Sequence, residues 1–407
     1  MGTLNRTLIF LGAFLLCFDS YGQFFRNGQN PSGVKWNFVE TSSYRVIYPA
    51  GADSLARIYA ADMEAVRPLV GASTGMLPNS AYKGKMPAVL ITGQPKSNGL
   101  VVWAPRRVEL VTQADQYEPE AYSWEKSLVI HESRHISQMQ FSNRGKWKPL
   151  SFLTGEALAG GLAGIYGSAM LFEGDAVIAE TALTNAGRGR SADFLEYYRV
   201  AFGKGDWRNW YRWRFGSLKK YTPDHYAQGY VAFGGTRVLY DEPRLVGNYF
   251  DRIVGHWLYF PFNTEFKEMQ LASGKNLTQS WQSVAEFFKE GWEANDALRG
   301  KFMDAEVVVP TTGIYSYYTG SVLAGDTIYA IRKGKDAPAE LVSLGEDGVR
   351  RVRAFAGTSS KLVYEPGSRR IYWSEPVPDM RWEQAGSSRV RYMLAGGREQ
   401  YDLGAKG

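Results

Sequence analysis

The sequence predicts an α+β domain, a small mixed sheet plus a helical subdomain, followed by an all-β C-terminal region. Three observations carry this. Up to Thr112 the apolar residues fall in short strand-like runs around one amphipathic helix. From Glu120 to about Trp292 the apolar spacing becomes helical. After Pro310, short strands and glycine-marked turns return. A chain of 407 residues has ample material for two or three such units. The boundaries are expected at 23–305 for the α+β domain and 306–407 for the β region.

Trp36 to Val39 and Tyr44 to Tyr48 read as a short hairpin. Asp53 to Val70 follows as an amphipathic helix with Leu55, Ile58, Tyr59, Met63, Val66 and Val70 on one side. Ala88 to Thr92 reads as a buried strand. Asn98-Gly99 marks a turn before two more strands, Leu100 to Ala104 and Val108 to Thr112. A helix is predicted from Trp124 to Phe141, with Ser123 as its cap. The Gly-rich apolar stretch Gly155 to Gly167 is expected to lead into a second helix beginning near Phe172. Beyond Pro310, Gly325-Asp326-Thr327-Ile328-Tyr329 and Gly367-Ser368-Arg369-Arg370-Ile371-Tyr372 echo one another. Ile328 and Ile371 are about 43 residues apart, a propeller-blade period. Two such units are too few to close a propeller. Either the chain is a fragment of a longer protein, the favoured expectation, or the units form an open β appendage.

The N-terminus reads as an export signal over residues 1–22. Asn5-Arg6 supplies a positive start, and Leu8 to Phe18 is apolar but too short to span a bilayer as an ordinary helix. Ser20-Tyr21-Gly22 places small residues before an expected cleavage ahead of Gln23; an uncleaved anchor is the alternative. Cys17 is the only cysteine, and Leu16 before it is too large for a lipid-attachment motif. Cleavage after Gly22 leaves no cysteine, which excludes disulfides, thiolate ligands and cysteine catalysis. It also leaves no expected transmembrane segment, and places the protein in the periplasm, envelope or extracellular space. The formal charge of +6 is modest. Trp207 to Arg214 interleaves aromatic and basic residues, which can bind nucleic acid. An exported chain rarely has that partner, so a packed helix or loop, or a groove for an extended polymer, is expected instead.

The chain has four histidines, and two of them fall in His131-Glu132-Ser133-Arg134-His135. Helical positions i and i+4 share one face, so both imidazoles can reach a single zinc ion. Glu132 lies beside them, placed to act as general base on a water that the metal activates. A catalytic site of this kind takes a third protein ligand. Glu156 and Glu173 both compete for the place, Glu156 being closer in sequence. Glu180, two helical turns after Glu173, could orient one histidine.

His-Glu-x-x-His followed by Glu173-Gly174-Asp175-Ala176 resembles the gluzincin metallopeptidases, especially their aminopeptidase-like branch. The resemblance covers roughly residues 35 to 300 and implies a zincin-like fold with Glu173 as the third zinc ligand. The loop from His135 to Glu173 is longer than in typical members, which keeps Glu156 open. Tyr226-Ala227-Gln228-Gly229 resembles the element that supplies the transition-state tyrosine there, with Tyr230 as a spare candidate. A phenol so placed donates to the developing oxyanion. His225 is read as a structural or surface histidine. Leu100 to Ala104 stands where that family has an edge strand that pairs with substrate backbone, but it lacks the exopeptidase signature. The whole resembles a family of bacterial envelope proteins in which a gluzincin-like domain runs into a TolB-like or WD-repeat-like propeller.

Two functions follow as expectations. The first is an exported zinc peptidase, an endopeptidase rather than an aminopeptidase, acting on a peptide or protein substrate. The second is a catalytically idle envelope scaffold that engages a protein partner through the propeller-like region.

Overall fold

The computed structural model describes residues 28–114, 121–256, 264–301, 303–308, 313–345, 348–355 and 361–406. The export signal and Cys17 lie outside these residues.

Alternating apolar residues build the first sheet. β1 (Trp36–Glu40) and β2 (Tyr44–Pro49) form the predicted antiparallel hairpin, with Phe38 opposite Ile47. Helix α1 (Asp53–Ala72) crosses over to β3 (Met86–Ile91), which runs parallel to β2. β4 (Gly99–Val102) and β5 (Arg107–Val111) complete the order β1-β2-β3-β5-β4. β5 is parallel to β3, and β4 is the antiparallel edge. The strand expected to reach Ala104 stops at Val102, because Ala104 takes a left-handed φ of 71° and the chain turns there. On α1, Tyr59 and Met63 face the sheet, and Val70 is buried instead against Ile130 and Ala179. Ile58 instead faces solvent, and the small Ala56 and Ala60 take the buried positions.

Helix α2 (Trp124–Met139) lies on this sheet, and Leu128, Val129 and Ile136 join Tyr44, Val46, Ala88 and Leu110 in its core. Its last expected turn is 3₁₀ in form, over Gln140–Asn143. Ser123 occupies the N-cap position, but its side chain makes no capping bond; its carbonyl accepts from Lys126 and Ser127. Helix α3 (Lys148–Thr154) follows. The glycine-rich stretch is itself a helix, α4 (Ala157–Tyr166), because its alanines and leucines outweigh its glycines. The next helix, α5 (Ala169–Leu183), begins three residues ahead of Phe172. Ser168 caps it by accepting from the Leu171 amide, a contact worth about 1 kcal/mol.

The helical half continues through α6 (Ala192–Gly203), α7 (Trp210–Phe215), α8 (His225–Gly229), a π turn (Tyr230–Gly234), α9 (Gly235–Leu239), α10 (Leu245–Gly255), α11 (Lys267–Ser273) and α12 (Leu277–Arg299). Its core is aromatic, centred on Trp210, Trp213, Trp281, Tyr198 and Phe202. The basic-aromatic segment is partly absorbed here, with Trp207 and Tyr211 left about half exposed. Trp210 and Trp213 are fully buried, Arg208 covers the Trp213 ring and Arg214 pairs with Glu265. No single helix among the described residues is long and apolar enough to cross a membrane.

The C-terminal region consists of two four-stranded antiparallel sheets in sequence order. The first is β6 (Ser316–Ala324), β7 (Thr327–Gly334), β8 (Glu340–Gly345) and β9 (Gly348–Ala354). The second is β10 (Val363–Glu365), β11 (Arg370–Val377), β12 (Ser387–Leu394) and β13 (Gln400–Lys406). The two echoing segments open β7 and β11, the second strand of each sheet. Tyr329, Ile331 and Leu341 pack with Ile371, Trp373 and Met393 in one core between the sheets. No closed ring of sheets forms among the described residues.

Candidate metal centre

The two histidines project from one face of α2, and α5 crosses beside it. His131 Nε2, His135 Nε2 and Glu173 Oε2 come together at the crossing. His131 Nε2 lies 3.0 Å from Glu173 Oε2 and 3.1 Å from His135 Nε2; His135 Nε2 lies 3.2 Å from Glu173 Oε2. Zinc bonds of about 2.0–2.2 Å at tetrahedral angles separate neighbouring donor atoms by roughly 3.3 Å. The triangle therefore fits one zinc ion, and two imidazoles with one carboxylate are a donor set zinc accepts. Glu156 takes no part. It pairs instead with Arg106, in the turn between β4 and β5, whose backbone amide also donates to it at 2.6 Å.

A ligand is useful only if its lone pair faces inward, and the surrounding groups set this. Glu180 Oε1 lies 2.6 Å from His131 Nδ1, so that nitrogen carries the proton and donates it to the carboxylate. His135 Nδ1 lies 2.8 Å from Gln138 Oε1. The Gln138 amide cannot flip, because its NH₂ donates to Phe172 O at 3.0 Å and Asp175 Oδ2 at 2.8 Å. In the neutral imidazoles both Nε2 atoms thus present lone pairs to the centre. Asp175 is held in turn by a bidentate bond from Arg134, with both side chains buried. Burial opposes its ionisation, but Arg134 holds the Asp175 carboxyl below the usual range.

The electrostatics follow the same geometry. Burial lowers the His131 pKa, yet the hydrogen bonds to Glu173 and Glu180 outweigh it and push His131 up to about 9. Glu173, despite burial, is held well below its ordinary value by the two histidines. Glu180 is brought down to about 2, against its burial, chiefly by Arg188 and His131. Glu132 moves the other way: burial raises it, and its Oε2 has no hydrogen-bond partner among the described residues. A buried carboxylate oxygen left without a partner is expensive unless it has a task.

Two motifs have a common cause in packing. Gly174 of α5 and Gly229 of α8 touch backbone to backbone, and a Cβ on either would overlap the other helix. Glu173 and Tyr226 are brought to one cavity by that crossing. Asp224 caps α8 through the Ala227 amide at 3.1 Å, and Gln228 anchors it by donating to Pro223 O and Thr222 Oγ1 at 2.9 Å. The Tyr226 ring lies 6.2 Å from that of His131. Burial and the adjacent Glu173 push its phenol well above the ordinary value. Tyr230 instead packs on Phe194 and Phe288, outside the cavity, and His225 is exposed beside Tyr226.

The cavity has a volume of about 300 Å³. The edge strand β4 forms one wall with Gly99, Leu100 and Val101, and Trp124, Phe172, Arg188 and Tyr226 form others. Gly99 lies so close above Glu132 that any side chain there would collide with its carboxylate and with Leu128. Gly99 and Arg188 are cavity residues that sequence reasoning missed. The only hint in the chain was the Gly187-Arg188-Gly189 triplet.

No protein-family model matches the chain, and no curated protein matches it.

Proposed function

We propose that this chain is an exported zinc metallopeptidase of the gluzincin type, a zincin-like domain followed by propeller-like units. The observation that carries the reading is the convergence of His131, His135 and Glu173, with a buried, unpartnered Glu132 carboxylate oxygen beside them. His131 Nε2, His135 Nε2 and Glu173 Oε2 would hold the metal. Zinc bound there supplies a Lewis acid that polarises a peptide carbonyl and lowers the pKa of a water. Glu132 takes the proton from the attacking water and later delivers it to the leaving nitrogen. Tyr226 donates from its phenol to the carbonyl oxygen as negative charge develops. Glu180 and Gln138 hold the two imidazoles in the ligating tautomer.

Endopeptidase action is favoured over aminopeptidase action. An amino-terminal ammonium needs a spare carboxylate, and those lining the cavity among the described residues have other roles. Glu132 is the base, Glu173 the ligand, and Glu180 the partner of His131 and Arg188. The free edge of β4 is placed to pair with an extended substrate backbone. The C-terminal sheets would serve a protein partner or the substrate chain.

The test is metal analysis of the purified protein with and without Glu132→Gln, joined to cleavage of a blocked-peptide library. Both proteins should carry stoichiometric zinc, and only the parent should cleave. Absence of zinc from both sinks the metal reading and leaves the scaffold reading. Equal cleavage by both sinks the assignment of Glu132.

A further inference from the structure

Arg188 has a task that metal ligation does not explain. Its guanidinium touches two groups that belong to different elements of the site, Glu180 and Tyr226. Nη2 and Nε reach Glu180 Oε1 and Oε2 at 2.6 and 3.0 Å, a fork-to-fork pair with a buried carboxylate. The same guanidinium lies over the Tyr226 ring, its carbon 4.9 Å from the centroid. Nη2 also comes within 2.9 Å of His131 Nδ1. An arginine cannot accept a hydrogen bond, and Nδ1 already faces Glu180, so this last approach is a contact rather than a competing bond.

The backbone around Arg188 is built to hold it in place. It sits in a single 3₁₀ turn, Arg188–Arg190, between two glycines. A side chain on Gly187 would overlap the backbone of Glu180 and Thr181 at the end of α5. A side chain on Gly189 would overlap the Tyr230 ring, which belongs to the π turn directly after α8. The Gly189 amide further donates to Thr181 Oγ1 at 3.1 Å. The turn is therefore wedged between α5, which carries Glu173 and Glu180, and the segment that carries Tyr226.

We propose that Arg188 is a positioning residue that ties Tyr226 to Glu180, so that the phenol and the group orienting His131 form one rigid unit. The consequence for turnover rests on the metallopeptidase reading; the tie itself rests on geometry alone. A lysine keeps the charge but loses the planar fork and the flat face, and so cannot make both contacts at once.

The experiment uses the full chain with Arg188→Lys, Tyr226→Phe and the double variant Arg188→Lys/Tyr226→Phe. Nitration of Tyr226 by tetranitromethane, located by peptide mapping on zinc-free protein, should quicken several-fold in Arg188→Lys, which keeps the cation beside the phenol but uncovers the ring. An unchanged rate overturns the proposal. With zinc, Arg188→Lys should lower kcat by about the factor that Tyr226→Phe does and leave KM and zinc content unchanged. The double variant should be no slower than Tyr226→Phe alone; a drop equal to the product of the two single effects overturns the tie. Gly189→Ala keeps the question open to measurement if the Arg188 variants misfold, because it displaces the turn and leaves the guanidinium intact. It too should quicken nitration, and failure to do so counts against the proposal. Quickened nitration in a protein without Glu132-dependent cleavage would support the tie and refute the peptidase reading.

Discussion

The helical half and the C-terminal sheets each contain a buried carboxylate that bridges an arginine and a third side chain. In the helical half, Asp175 is gripped by Arg134 and accepts from Gln138, which turns its oxygen to His135. In the sheets, Glu375 accepts from Arg391 at 2.7 Å and from the Trp373 indole at 2.8 Å. The relays are alike in chemistry and differ in where they end. An indole has no lone pair to offer, so the second relay ends in a packed ring. An imidazole held at Nδ1 has a lone pair at Nε2, and here it faces an open cavity. A buried polar relay becomes a site only when its last member has chemistry left over.

This contrast can be broken at several points. The largest effect is expected from Asp175→Ala, which strands the fully buried Arg134. Unfolding should become easier by about 3–5 kcal/mol, and zinc binding should weaken as Gln138 loosens. Intact zinc affinity in a folded Asp175→Ala protein would cut the relay out of the site. Next, Glu180→Gln should weaken zinc about 10–100-fold in a competition titration with a chelator, with the fold retained. Glu375→Ala should destabilise by about 1–3 kcal/mol, because Arg391 is partly exposed and can find water. Its zinc content and cleavage should match the parent; a loss of either would mean that the two regions are coupled.

The pH dependence of the metal-free protein gives a subtler test. His131 has a folded-state pKa of about 9 against an ordinary 6.5, so it binds its proton more tightly when folded. The stability this supplies is fully present below pH 6.5 and is lost as pH rises through 9. Denaturant midpoints of chelated protein should therefore fall across that window, and Glu180→Gln should flatten the fall. Smallest of all, Arg389→Ala removes an exposed pair with Asp402 and should change stability by less than about 1 kcal/mol.

The sheet half was the most legible part of the sequence, because period-two alternation and one long amphipathic helix are local signals. His131, Glu132 and His135 were legible for the same reason: their spacing alone puts them on one helix face. The choice between Glu156 and Glu173 was not local. Glu156 is nearer in sequence, but Arg106 claims it from the turn between β4 and β5. The Gly-rich stretch was expected to lead into a helix near Phe172; it is itself helical, because leucine and alanine decide the outcome, and the next helix starts at Ala169. The role of Arg188 was not legible from the glycines that flank it. Its partners, Glu180 and Tyr226, lie 8 residues before it and 38 after it, and no periodicity links them.

Helix α2 lies at a seam. Its apolar side belongs to the sheet core, whereas α5 takes Leu171 and Ile178 from the aromatic core of the helical half. Of the three atoms that converge, two belong to α2 and one to α5, so the candidate centre exists only where the two helices cross. Under the proposed reading, a metal held there would also fasten the sheet core to the aromatic core.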